Sequence, residues 1–417
     1  MTRRSKQAIL LTDDERLEDK MVFQILDDKR DCNAIYANGH FIHNKRPDNL
    51  NSTWGYSDHL RNDFIQYAYL WTGGKSIKEV CPEHLKSRYE SHENKIKAHF
   101  KSFGVAKVNF DDVCFYDLVP KKHLEHYFQV KNEVCSWVFD NFSKPKNYSF
   151  LHDSYLTIQD IAKNPVKINM HKLYNFAKFD TKAKNLLKWI QHNPSPIINY
   201  NLFGSVTGRL TTKTGSFPIM NLKTELKSIV EPKWDCYLEL DFNASEIRTL
   251  LALSGQSQPQ GDIHEWHQQN IFKENITRDE AKQRFFAWLY NPNSQALESS
   301  PYDKQAILGR YYKEEKIHTR FGRQAACGPF HALNYVLQSH SSDNCLERVN
   351  KINVFLRDRK SYVAFTIHDC VIIDFHRDDR HLVPQLKEIF EDTRLGKFPS
   401  SCHMGKNLGQ MREFKWN

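Results

Sequence analysis

Two segments far apart in the chain each deliver an aspartate at the end of a strand. Tyr237-Leu238-Glu239-Leu240-Asp241 alternates as a strand does, and 242–248 opens a helix behind it. Phe365-Thr366-Ile367-His368-Asp369-Cys370-Val371-Ile372-Ile373 is a second β-rich run, with its acid at a hairpin turn. Carboxylates set side by side by neighbouring strands can bridge two Mg²⁺ ions roughly 3.5–4 Å apart, which activates an attacking hydroxyl and stabilises a leaving phosphate oxygen. A single Asp at a strand end is more often a turn or helix cap, so neither segment argues alone.

Between them, Arg278, Lys282, Phe286 and Tyr290 recur every fourth residue. On a helix they form one slowly turning stripe, with cations at its N-terminal end and aromatics at its C-terminal end. The helix dipole disfavours cations at that end, and an ordinary surface helix gives no reason for them. A triphosphate lying along the helix does: Arg278 and Lys282 meet the phosphates, Phe286 the sugar and base, and Tyr290 the neighbourhood of a templating base.

From about residue 199 onward the chain resembles the polymerase region of family A DNA polymerases, the DNA polymerase I family, and especially its bacteriophage members. The blocks fall in the family's order. Thr207-Gly208-Arg209-Leu210-Thr211-Thr212 is similar to TGRLSS, Asp241-Phe242-Asn243-Ala244-Ser245-Glu246-Ile247-Arg248 to DYSQIELR, and Gly261-Asp262-Ile263-His264 to GDIH. The stripe resembles the fingers helix RxxxKxxxFxxxYG. His318-Thr319-Arg320-Phe321-Gly322-Arg323 resembles TxxGRxR, Asn334 with Gln338 the NxxxQ spacing, and Ile367-His368-Asp369 the VHDE turn. Each block is weak alone; their order over half the chain is specific.

The resemblance implies Asp241 and Asp369 as the carboxylates for two Mg²⁺ ions. It implies Arg278, Lys282 and His264 as contacts to the incoming triphosphate, with Lys282 the proton donor to departing pyrophosphate. Arg209, Asn334 and Gln338 would meet the minor-groove acceptors that every correct base pair presents alike, and His368 would sit near the primer terminus. Glu246 would pack against the sugar 2′ position and exclude ribose, which disfavours an RNA polymerase. Phe286 at the sugar-facing position implies discrimination against dideoxynucleotides. The expected activity is template-directed addition of dNTPs to a primer 3′-hydroxyl. Its rival is a catalytically weak or inactive replication factor that binds primer-template DNA.

The chain also departs from the pattern. Cys370 stands where the VHDE block has Glu, removing one carboxylate from the metal neighbourhood. Asn291 replaces the Gly after Tyr290, and Pro292 then stops the helix. Only 128 residues separate the two aspartates, which implies small fingers. A working 3′→5′ exonuclease needs an acidic set that the N-terminal region lacks: Asp13-Asp14-Glu15 sits in a charged stretch, and Tyr127-Phe128-Gln129-Val130-Lys131 puts Lys where the family's YxxxD block has Asp. A cation in place of a metal ligand abolishes such a site.

The elements that must position these residues are legible in outline. Short strand pieces at 21–26 and 34–36 and a helix at 82–103 suggest a small α/β domain. Amphipathic helical stretches at 123–142, 155–162 and 170–192 follow, and strands at 237–240, 362–367 and 371–375 then appear among helices. The expected fold is α+β, a right-hand polymerase with an antiparallel palm sheet. Residues 1–120 form a degenerate exonuclease-like domain, 121–199 a thumb-like region, 200–255 the first part of the palm, 256–309 the fingers and 310–417 the rest of the palm.

The 417 residues, 40% hydrophobic and 13% aromatic, exclude a disordered or fibrous chain, and the formal charge of +9 suits a polyanionic partner. Expected partners are primer-template DNA, dNTPs and replisome proteins, with no membrane. Nine scattered cysteines without a CxxC pair argue against a disulfide framework or zinc site. The N-terminus lacks a signal-peptide pattern and no apolar run reaches membrane-spanning length, so the expected location is cytoplasmic, in the host cytoplasm if the gene is phage-borne.

Overall fold

The apolar runs near the N-terminus pair into one mixed sheet: β1 (Met21–Ile25), β2 (Ile35–Ala37), β3 (His40–Ile42), β4 (Leu50–Thr53) and β5 (Gln66–Tyr67). The order is β3-β2-β1-β4-β5, with the first three antiparallel and β4 and β5 parallel to β1. Asn38 and Gly39 join β2 to β3, both left-handed as a two-residue hairpin requires. The structure, a computed structural model, describes residues 21–26, 34–43, 47, 49–56, 64–110, 113–272, 276–291 and 301–414. Asp13, Asp14, Glu15 and Pro292 lie outside them.

Two long helices complete this unit, α1 (Glu83–Val105) and α2 (Lys121–Asn141). Val130, Val134 and Val138 recur at helical spacing on α2 and are fully buried with Leu85 and Tyr89 of α1. That stripe holds α2 against α1 and β1, and the chain divides into two compact units after Tyr148.

The second unit begins with α3 (Tyr148–Ala162), α4 (Met170–Ala177) and α5 (Thr181–His192). The helix expected over 170–192 is thus broken. Asp180 takes the N-cap position, its carboxylate accepting from the Ala183 amide at 2.8 Å and pairing with Lys223.

Five antiparallel strands form the sheet of this unit. β6 (Cys236–Phe242) is central, β7 (Tyr362–Ile367) and β8 (Cys370–Phe375) form a hairpin on one side, and β9 (Ser400–Gly405) and β10 (Arg412–Glu413) lie on the other. Period-two alternation sends Leu238, Leu240 and Phe242 to one face, opposite Ile373, Val371 and Cys402 of the neighbouring strands. There Phe242 stacks on Phe390, ring centroids 4.1 Å apart, and meets the edge of Phe398. Phe390 belongs to α10 (Val383–Glu391), after α6 (Ser245–Leu253), α7 (Ile263–His267), α8 (Arg278–Tyr290) and α9 (Ala332–Phe355). Truncating Phe242 to alanine in such packing costs about 3–5 kcal/mol. The opposite face of the sheet carries the acids.

α9 is enclosed on every side from 339 to 350, although Ser339, His340, Ser341, Ser342, Asp343, Asn344, Glu347, Arg348 and Asn350 lie in that span. Among the described residues no helix is long and apolar enough to cross a membrane.

Candidate active site

Strand pairing sets the two aspartates together. Asp241 stands directly opposite Cys370 of β8, and Asp369 precedes Cys370 in the two-residue turn from β7. The chain is left-handed beside both acids, at Ala244 (φ 55°, ψ 53°) where β6 turns into α6, and at His368 (φ 52°) in the hairpin. Non-glycine residues in that region cost about 1–3 kcal/mol each, a strain that accumulates where geometry serves function. Ser341 of α9 hydrogen-bonds Asp369, and its hydroxyl lies 2.6 Å from that of Ser245 at the start of α6. A buried hydroxyl chain therefore ties the hairpin turn to the helix that follows Asp241.

Electrostatics sharpen the picture. Burial, then the Glu239 and Asp369 carboxylates, push Asp241 up to about 7. Burial raises Asp369 as well, opposed by Arg209, His368 and the Ser341 hydroxyl. Among the described residues no group of three or more His, Cys, Asp and Glu side chains is drawn together to hold a metal ion. The donor set still fits Mg²⁺, a hard cation that keeps several waters and is bound through one or two carboxylates plus substrate phosphates. Crowded negative charge of the kind that raises Asp241 is what a divalent cation relieves.

The stripe of α8 forms as expected. Thr277 and Glu280 build a capping box at its start. Ala281, Phe285, Trp288 and Leu289 are buried on one side, while Arg278, Lys282 and Tyr290 are exposed and Phe286 half-buried on the other. Arg278 donates to Asp262 through Nε at 3.2 Å and Nη2 at 2.6 Å. The other Asp262 oxygen caps α7 by accepting from the His264 and Glu265 amides. His264 lies 6.1 Å from the Phe286 ring, and burial followed by Arg278 and Lys282 holds its imidazole below the usual range. Arg278, Lys282, His264 and Phe286 therefore share one neighbourhood.

Glu246, largely buried on the first turn of α6, is gripped at both oxygens. Arg209 Nη2 donates to Oε1 at 2.8 Å, and the Tyr290 hydroxyl to Oε2 at 2.5 Å. Tyr290 also stacks on Phe286 with the rings 8° from parallel. Gly208, beside Arg209, has φ +84°, and a Cβ there would come within 2.4 Å of the Arg323 guanidinium. Arg323 is fixed in turn by Asp343 of α9, through hydrogen bonds of 2.7–3.1 Å. The Gly of one motif and the Arg of another are thus two halves of one contact.

Asn334 and Gln338 stand one turn apart on α9, and Asn334 Oδ1 is buried with no protein partner, as is Arg209 Nε. Arg209 and His368 line a small cavity of about 30 Å³ with Gly208, Cys345 and Thr366. No direct contact joins Asn334 or Gln338 to Arg209 among the hydrogen bonds described.

Sequence reasoning missed Glu239, Ser245, Ser341 and His403. Alternation along β6 puts Glu239 on the same face as Asp241, a signal present in the sequence; His403 of β9 faces Glu239, its Nδ1 3.2 Å from Oε1. The serines carried no such signal, since only tertiary packing brings them together.

No protein-family model and no curated protein matches the chain. Among solved structures, it is similar to the POL domain of Pol1 from M. smegmatis, in complex with DNA primer-template and dNTP. The TM-score is 0.54 with 10% identity, over 69% of this chain and 76% of that one. At that identity the likeness is one of fold: a mixed helix and strand architecture with open sheets that matches a polymerase domain.

Proposed function

We propose that the protein is a template-directed DNA polymerase of the family A type, adding dNTPs to a primer 3′-hydroxyl without proofreading. The observation that carries the reading is the pairing of β6 with β8, which sets Asp241 beside the Asp369 turn in a fold similar to a polymerase domain. Asp241 and Asp369 would hold two Mg²⁺ ions. Bound there, the ions supply activation of the attacking hydroxyl and neutralisation of charge on the phosphates. The chain itself does the positioning. Arg278, Lys282 and His264 bind the triphosphate, Arg278 exchanging Asp262 for phosphate, and Lys282 donates the proton that pyrophosphate takes on leaving. Phe286 and Tyr290 stack beside the nascent pair, and Glu246 closes the space a 2′-hydroxyl would need. Arg209, Asn334 and Gln338 present donors to minor-groove acceptors, and His368 borders the primer terminus.

In this reading residues 200–255 and 310–417 supply the palm, 256–309 the fingers and 121–199 a thumb-like region, and residues 1–120 are nuclease-like but inert. Supporting the last point, burial pushes the Lys131 amine below its usual range at the position where the motif has Asp, and Gln24 of β1 donates to Cys135.

Primer extension on a defined template tests the proposal, with Asp369→Ala as control and rNTPs beside dNTPs. Mg²⁺-dependent extension with dNTPs, abolished in the variant, is expected. Template binding without extension by the unmutated protein supports the rival replication factor instead.

A further inference from the structure

Cys370 leaves a place at the acid-bearing face where the motif calls for a third carboxylate. The face around it is defined by register. Asp241 lies between Cys370 on β8 and Ser401 on β9; one pleat back along β6, Glu239 lies between Ile372 and His403. Residues two apart on a strand share a face, and diagonal neighbours across a pair lie about 7–8 Å apart, within reach of a long side chain. Glu239 is therefore the acid next to both Asp241 and the Cys370 thiol. It raises the proton affinity of each. Its Oε1 lies 3.2 Å from His403 Nδ1, which makes no hydrogen bond among the described residues, and the side chain is about one-fifth exposed, so solvent reaches it.

We infer that Glu239 replaces the carboxylate missing at position 370, acting as an outer ligand that accepts hydrogen bonds from waters on the cation held by Asp241 and Asp369. This rests on the proposed function and deepens it. A carboxylate one pleat from the inner pair suits an outer role, because Mg²⁺ keeps several of its waters and outer partners orient what surrounds a metal. Glu239 is thus a positioning residue for the metal site and makes no contact with substrate. The same charge in the absence of a cation only repels Asp241.

Mn²⁺ titrated into the full-length protein, with the free ion followed by electron paramagnetic resonance, tests this. Glu239→Gln is expected to weaken Mn²⁺ binding about 10–100-fold, in line with other outer-partner losses. Cys370→Glu added to that variant should restore the affinity, whereas His403→Gln, which keeps the carboxylate, should have little effect. In EDTA, Glu239→Gln should melt at or above the wild-type temperature, since it removes a repulsion. A lower melting temperature with unchanged Mn²⁺ affinity would make the pair mere scaffolding and overturn the inference. Asp241→Asn and Asp369→Asn separate the two levels: if they lose Mn²⁺ while Glu239→Gln does not, only this inference fails. If they too bind normally, the reading of the site itself fails.

Discussion

Burial and neighbouring acids push Asp241 well above the usual carboxylate range, and the consequence for stability has a definite sign. An acid whose folded value is raised to about 7 binds a proton that the unfolded chain has already released. Stability is therefore lost as pH rises from about 4 towards 7 in metal-free buffer, by up to about 4 kcal/mol, and Asp369 adds in the same direction. Urea unfolding in EDTA at pH 5 and pH 8 should show this loss, Asp241→Asn should flatten it, and Mg²⁺ should oppose it at the higher pH. Phe286 sets a second expectation at this scale. Its ring stacks on Tyr290 and carries no hydroxyl; if it faces the sugar as proposed, the wild type should discriminate against ddNTPs and Phe286→Tyr should relax that preference. Equal ddNTP incorporation by both proteins would remove the sugar-facing role.

At the scale of elements, the turn from β6 into α6 is a device under strain. Ala244 is left-handed with its Cβ in place, and glycine adopts that conformation without the penalty. Ala244→Gly should stabilise the protein by about 1 kcal/mol in denaturant unfolding. If the tight turn serves the geometry of Asp241, primer extension should fall even as stability rises; a stable variant with undiminished extension would mean the strain has no catalytic purpose. The elements also show what a sequence can reveal. β6, the β7–β8 hairpin and α8 were legible because alternation, a turn acid and a four-residue stripe are local patterns. β9 was not: Ser400-Ser401-Cys402-His403 has no β-branched residue, and only the open edge of β6 makes it a strand. α9 hides its role in another way, since its polar residues at 339–350 carry no apolar stripe and are satisfied in part by tertiary partners such as Arg323 and Ser245. The break at Asp180 was visible as a capping residue, and the amphipathic run across it masked the signal.

For the whole molecule, the charge of +9 and the two-unit division bear on the proposed polymerase activity. Affinity for primer-template should fall steeply with salt, as cations displace counterions. The N-terminal unit should bring no nuclease activity: a primer with a mismatched 3′ end, incubated with Mg²⁺ and no dNTP, should keep its length on a sequencing gel. Shortening that survives Asp369→Ala would assign a working nuclease to this chain and displace the reading of Lys131.

The position of β9 in the sheet reaches beyond the finished protein. β6 is hydrogen-bonded on one side to residues 370–375 and on the other to 400–405, so during synthesis Asp241 emerges long before either neighbour exists. Until the ribosome has delivered the 400s, the strand bearing it presents a bare edge, the form in which nascent chains pair with the wrong partner. Completion of the acid-bearing face is thus a late event in folding. A chain truncated before residue 400 should leave that edge bare and be insoluble on expression.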